Sequence, residues 1–259
     1  MTTKKCLRIV SWNIQKGRKS SAARVEHVLT GLGADIAFVQ ECPMPFDGAI
    51  PSDLTPERGA LVFGQKEGMK RGVNGCIIAS RTVRLRPWQH SGDQGWITVA
   101  EATLEQAGRT ALVSFHGPTS SKALGGFSSV AYWALDRMKR LASLGETFDS
   151  VIVGGDFNCS RSPWLMNTYG PRFRDFFGHV CAATSFVDAN WKLNGKETPN
   201  FVHRGALSDI QNDHFFVLGR AATQLSACYV VQMEEILSGN PPLNSDHMPV
   251  VLEFHGGVG

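Results

Sequence analysis

Short apolar or β-branched runs bounded by Gly, Asp or Asn recur at Leu7 to Trp12, Ile36 to Gln40, Gly75 to Ala79, Ile97 to Leu104, Thr110 to Phe115, Val151 to Gly154, Phe215 to Leu218, Cys228 to Val231 and Val250 to Phe254. Their length and residue types predict strands, most of them buried. Two stretches carry the helical period instead. Val25, Val28, Leu29 and Leu32 precede Gly33, and Ala131, Leu135, Met138 and Ala142 precede Gly145, so each predicts an amphipathic helix ending near a glycine. Several strand signals run consecutively between residues 60 and 116, which favours a mixed sheet sandwich flanked by helices over strict strand-helix alternation. Trp191 to Gly205 and the proline-bearing stretch Phe46 to Gly59 read as surface loops.

The chain has 259 residues with 42% hydrophobic composition, enough for one large core, and no repeat, low-complexity tract or charged linker divides it. A single domain over residues 1–259 is expected, because a cut would separate the polar clusters described below. Twenty-six basic against 23 acidic side chains give +3, a weak tilt toward polyanions that is not concentrated in a tail. The six cysteines form no Cys-x-x-Cys pair and lie in or beside apolar runs, which fits reduced, packed thiols and a cytoplasmic setting. No apolar run is long enough for a signal peptide or a bilayer span. A soluble monomer without a membrane role is expected, and the sequence points to no protein partner.

Polar clusters sit at the ends of the apolar runs: Trp12-Asn13, Gln40-Glu41, Gly155-Asp156-Phe157-Asn158 and Ser245-Asp246-His247. Strand ends could gather carboxylates, carboxamides and an imidazole at one sheet edge, a set suited to a hard cation and a phosphate. Asp156 emerges where a buried strand ends, and strand periodicity returns Asn158 to the same face; an ordinary Asp-Asn turn would give the same local pattern. Glu41 ends another buried run, where a carboxylate is costly without a cation or donors, and Mg²⁺ held by Glu41 and Asp246 would satisfy it. Asp213 precedes Phe215 to Leu218 and could orient His247 as a carboxylate-imidazole pair. His116 ends a strand at a corner before Gly117-Pro118, where it could present a proton donor. No Gly-x-Ser-x-Gly elbow, His-Glu-x-x-His helix or Gly-rich nucleotide loop is found.

The ordered set Ser11-Trp12-Asn13, Gln40-Glu41, Ser114-Phe115-His116, Gly155-Asp156-Phe157-Asn158, Asn212-Asp213-His214-Phe215-Phe216 and Ser245-Asp246-His247 resembles the endonuclease/exonuclease/phosphatase superfamily, which includes deoxyribonuclease I. The resemblance spans residues 7 to 254. Each motif is short; six in order at strand ends are specific. It implies a four-layered α/β sandwich, two packed mixed β-sheets flanked by helices, that hydrolyses phosphate esters with Mg²⁺ or Mn²⁺. It makes Glu41 the main metal ligand, with Asp246 and Asn13 near the metal or its waters. Asp156 and Asn158 would orient the attacking water and the phosphate, Asp213 and His247 would form the pair, and His116 would serve as acid or phosphoryl-oxygen donor.

Cys42 after Glu41, and His116-Gly117-Pro118, depart from the pattern of abasic-site endonucleases, so abasic-site repair is disfavoured. His214 stands where many relatives carry Tyr or Arg, which leaves Asp209 as a second candidate for the place of Asp213. The sequence identifies no acidic partner for His116. Lys16, Arg18 and Lys19 follow Asn13, and Arg161 with Trp164 follows Asn158; such cationic and stacking groups could grip a nucleic-acid backbone. The expectation is therefore a Mg²⁺-dependent nuclease cleaving DNA or RNA. The alternatives are a phosphatase or phosphodiesterase acting on a lipid or small-molecule phosphate ester, and a catalytically inactive binding module on the same fold.

Overall fold

The computed structural model describes residues 6–14, 22–43, 61–63, 74–88, 96–118, 130–162, 172–203, 206–232 and 245–255. Two six-stranded sheets carry the fold. In the first, β1 (Leu7–Asn13), β2 (Ile36–Pro43), β3 (Leu61–Phe63), β4 (Asn74–Ser80), β13 (Leu225–Val230) and β14 (Val250–Phe254) lie in the order β13-β14-β1-β2-β4-β3. The second orders β5 (Arg86–Pro87), β6 (Ile97–Leu104), β7 (Gly108–His116), β8 (Ser150–Asp156), β9 (Val187–Asp188) and β12 (Asp213–Gly219) as β5-β6-β7-β8-β12-β9. A separate hairpin pairs β10 (Val202–His203) with β11 (Ala206–Leu207).

Each sheet contains one parallel pair, and a helix makes each crossover. Between β1 and β2 runs α1 (Ala22–Gly31), and between β7 and β8 runs α2 (Val130–Ala142). All other pairings in the two sheets are antiparallel. This topology decides where the polar clusters go. The C-terminal ends of β1, β2, β7 and β8, and the N-terminal ends of their antiparallel neighbours β12 and β14, all point to one edge.

The alternation along the strands builds three apolar layers. Ile9, Ile36, Phe38, Leu112, Ile152, Phe215, Val217 and Leu252 fill the seam between the sheets. Val10, Trp12, Ala37, Val39 and Val251 face outward onto Val25, Val28 and Leu29 of α1. Ala111, Val113, Phe115, Val151 and Val153 face outward onto α2 and onto Phe176, Phe177 and Val180 of α3 (Arg172–Thr184). Helix, sheet, sheet, helix is thus the four-layered α/β sandwich expected from the sequence. The seam tolerates no bulk at Gly154, where a Cβ would meet Phe215 Cε1 at 2.3 Å and Phe38 Cδ2 at 2.8 Å.

All the expected strands and both expected helices are present, with ends shifted by a few residues. Trp191 to Gly205 is not a plain loop: its start belongs to α4 (Ala189–Asn194), capped by the Asp188 side chain accepting from Trp191 N–H and closed by Gly195 at φ 67°. Its end enters the β10-β11 hairpin. Phe46 to Gly59 lies outside the described residues.

Candidate active site

At the shared edge the inward positions change from apolar to polar. On β1 the inward series Leu7, Ile9 continues as Ser11, Asn13; on β2, Ile36, Phe38 continues as Gln40; on β7, Leu112 as Ser114, His116; on β8, Ile152, Gly154 as Asp156. The same seam is therefore a hydrophobic core along most of its length and a buried polar cluster at one end. Its floor is a hydrogen-bonded row. Gln40 Nε2 donates to Ser114 Oγ at 3.1 Å and to Ser11 Oγ at 3.3 Å, tying the two sheets together beneath the acids.

Asp156 is the hub. Asn13 Nδ2 donates to its Oδ2 at 2.9 Å and Asn158 N–H donates to its Oδ1 at 2.8 Å. His247 Nε2 lies 3.8 Å and His116 Nε2 3.9 Å from the same Oδ2. Glu41 Oε1 comes within 3.6 Å of His116 Nε2, and Asp246 Oδ1 within 3.7 Å of His247 Nε2. Glu41 and Asp156 are thus carboxylates facing His116 among the described residues. The Trp96 ring packs on His116 with centroids 5.2 Å apart, and Phe201 on His247 at 5.1 Å.

His247 Nδ1 and Asp213 Oδ2 are 2.6 Å apart. The register places Asp213 directly opposite Asp156 on neighbouring strands, which selects Asp213 over Asp209. Asp209 instead accepts from Ser162 Oγ at 2.7 Å. Burial pushes the Asp156 carboxyl up to about 7, with the Asp213 charge adding to the rise and His247, Asn158 N–H and Asn13 opposing it. Burial alone would lower His247; the charges of Asp213 and Asp156 and the Asp213 hydrogen bond outweigh it and raise the imidazole to about 10. Asp213 and Asp156 thus favour the protonated form of His247.

Two site residues occupy the left-handed region, Glu41 at φ 53° and Asn158 at φ 51°. Glu41 sits where the β2-β4 register shifts between Val39 and Cys42, and such bulges re-aim a side chain. Asn158 corrects the expectation from strand periodicity, because β8 stops at Asp156. The Asp156 carboxylate accepting from the amide two residues on closes a tight turn, and the carboxamide of Asn158 donates to Gly117 O at 2.8 Å. Asparagine tolerates this backbone better than most residues.

Arg161 does not reach outward as a free cation. Its Nη1 bonds Asp188 Oδ2 at 2.7 Å and Glu197 Oε1 at 3.4 Å, and its guanidinium lies over the rings of Phe177 and Trp191 at 3.8 and 4.4 Å. Glu197 also accepts from Ser160 Oγ and Arg161 N–H, so this clamp secures the loop leaving Asn158. Lys16, Arg18, Lys19 and Trp164 lie outside the described residues. Asn200 and Glu197 belong to the site's support, and nothing in their local sequence pattern marks them.

The donor set suits a hard divalent cation. Glu41, Asp156, Asp213 and Asp246 lie about the two imidazoles, the Asn13 carboxamide and the Asn158 N–H bond Asp156, and ligand atoms of Asp156, Asp213 and His247 all lie within 4.8 Å of one another. Thiol chemistry is disfavoured: burial raises the Cys42 and Cys159 thiols well above their ordinary value.

A two-sheet sandwich between helical layers, with acids, amides and imidazoles gathered at one end of the seam, defines a deoxyribonuclease I-like class of phosphoester hydrolases. The chain belongs to the endonuclease/exonuclease/phosphatase family, whose model matches residues 10–227. Among solved structures it is similar to the AP endonuclease LMAP of Leishmania major (17% identity, 96% of this chain and 88% of that one, TM-score 0.73). It is also similar to the 3'-5' exonuclease NExo of Neisseria meningitidis (19%, 96% and 99%, 0.70) and to a humanized D. rerio TDP2 (15%, 96% and 99%, 0.65). At these identities the likeness establishes the fold. No curated protein matches the chain in sequence.

Proposed function

We propose that the protein is a Mg²⁺- or Mn²⁺-dependent phosphodiesterase that cleaves nucleic acid, DNA or RNA, by attack of water on phosphorus. The observation that carries this reading is the convergence of two imidazoles, one from each sheet, on Asp156 Oδ2 at 3.8 and 3.9 Å. Glu41, with Asp246 and Asn13, would hold the cation. That ion would polarise a phosphoryl oxygen and offset the charge that develops on phosphate and leaving group.

The chain's own groups divide the remaining work. Asp156, raised by burial and fixed by Asn13 and Asn158, accepts a proton from the attacking water, while the Asn158 turn aligns the phosphate above it. Asp213 keeps His247 protonated with Nε2 turned to the phosphate, so the imidazolium donates to an equatorial oxygen as negative charge builds. His116, on the opposite wall, donates to the leaving oxygen or to a phosphoryl oxygen. Trp96 and Phe201 flank the two imidazoles and exclude water from them.

Nucleic acid is favoured over small esters by the sequence's basic residues Lys16, Arg18 and Lys19 and by the activities for which the AP endonuclease and the exonuclease that share the fold are named. Among the described residues no helix is long and apolar enough to cross a membrane. All six cysteines are free thiols, which supports a reducing, cytoplasmic setting.

The test is a panel of supercoiled plasmid, single-stranded DNA, RNA and bis(p-nitrophenyl) phosphate, each with Mg²⁺, Mn²⁺ or chelator. Cation-dependent cleavage of at least one polynucleotide is expected, and Asp156→Asn should lower turnover by roughly 10²- to 10⁴-fold with folding intact. Wild-type turnover by Asp156→Asn removes Asp156 from the chemistry. Hydrolysis of the small ester alone, with every polynucleotide intact, moves the substrate class to small phosphodiesters.

A further inference from the structure

Asp213 begins a strand of one sheet and His247 lies at the entrance to a strand of the other, so their 2.6 Å hydrogen bond must be held across the seam. Asn200, fully buried, grips both sides. Its carbonyl accepts from Met248 N–H at 2.7 Å and Val202 N–H donates to Asp246 O at 2.7 Å, so Asn200 to Val202 lies alongside His247 like a short added strand. Its carboxamide reaches both sides. Nδ2 donates to Asp213 Oδ2 at 2.6 Å and to Met248 O at 3.2 Å, and Oδ1 accepts from Asn212 N–H at 2.9 Å. The reverse amide orientation would set an oxygen against the carboxylate and an NH₂ against an N–H, so the network fixes which way it points.

Asp213 Oδ2 thus takes two donors, while Oδ1 is buried with no hydrogen-bond partner among the described residues. With His247 as its sole donor the carboxylate could rotate and let the imidazole follow. The second donor, anchored on the segment that also holds the His247 backbone, removes that freedom. We propose that Asn200 is a positioning residue for the Asp213-His247 pair, setting the direction of His247 Nε2 across the two sheets. This rests on the reading that the pair acts in phosphodiester hydrolysis.

Asn200→Asp keeps the size and the acceptor for Asn212 N–H but turns the donor facing Asp213 into an acceptor. Its kcat on plasmid DNA and bis(p-nitrophenyl) phosphate with Mg²⁺ should fall on the order of 10- to 100-fold, with KM changed by less than about twofold. In proton NMR, the downfield His247 Nδ1–H signal should move or disappear while circular dichroism stays that of wild type. Asn200→Ser, which retains a donor on a shorter arm, should fall between; it replaces the Asp variant if that one does not fold. A folded variant lacking the amide donor, with wild-type kcat and an unmoved Nδ1–H signal, overturns the proposal. His247→Ala separates the two levels. If it retains turnover, the catalytic reading of the pair fails; if it is inactive while Asn200→Asp is fully active, only the positioning role falls.

Discussion

Replacing Glu41 by glycine and, separately, by alanine isolates what this position does for chemistry from what it costs the fold. Glu41 has φ 53° at a β-bulge, a conformation that costs a residue with a Cβ about 1–2 kcal/mol. Glycine relieves that cost at an entropic penalty of about 0.5–1 kcal/mol. Both substitutions delete the same carboxylate, whose side chain is 15% exposed and faces His116 at 3.6 Å, so they differ only in the backbone. In chelator, the glycine variant should therefore be the more stable by about 1 kcal/mol, roughly 2–4 °C in Tm for a chain of this size. Both should require more Mg²⁺ for turnover and show less of the Tm increase expected when Mg²⁺ is added to the wild type. Thermal denaturation with and without cation, followed by metal titration of activity, reads both effects. Equal Tm values for the two variants would refute the strained-backbone reasoning, and a wild-type cation response in both would refute Glu41 as a ligand.

Removing charge at Lys16, Arg18 and Lys19 should weaken DNA binding and flatten its dependence on salt by about 0.7–0.9 in log-log slope for each phosphate no longer neutralised; an unchanged slope would remove these residues from the interface. Arg161→Met should leave that slope alone, because its charge already faces Asp188 and Glu197, and should instead lower stability by on the order of 1–3 kcal/mol by leaving Oδ2 of the buried Asp188 without its cationic partner. Gly154→Ala should destabilise by about 1–3 kcal/mol, since the new methyl meets the Phe38 and Phe215 rings; an unaltered denaturant midpoint would show that those rings can move aside.

Elements are legible in the sequence where one local signal suffices. The run Val151-Ile152-Val153 reads only as a buried strand, and Val25, Val28, Leu29 and Leu32 share a helix face. Asn158 shows the limit: strand periodicity predicts its direction, but a hydrogen bond to the Asp156 side chain ends the strand, and the backbone turns left-handed. The stretch that forms α3 carries Gly178 amid aromatic residues, a pattern that weakens the helical signal, and its place is fixed by packing of Phe176, Phe177 and Val180 on the second sheet.

By itself, the sequence determined the nine longer strands, the two crossover helices, the layered class of fold and the inventory of acids, amides and imidazoles at strand ends, because hydrophobic period and strand-end chemistry are local properties. Tertiary structure alone decided that Asp213 rather than Asp209 meets His247, that Arg161 is held in an internal clamp, and that Asn200 bridges the two sheets. Those outcomes depend on strand register and on which sheet faces which, set by contacts between residues far apart in the chain, where no short pattern records the partner.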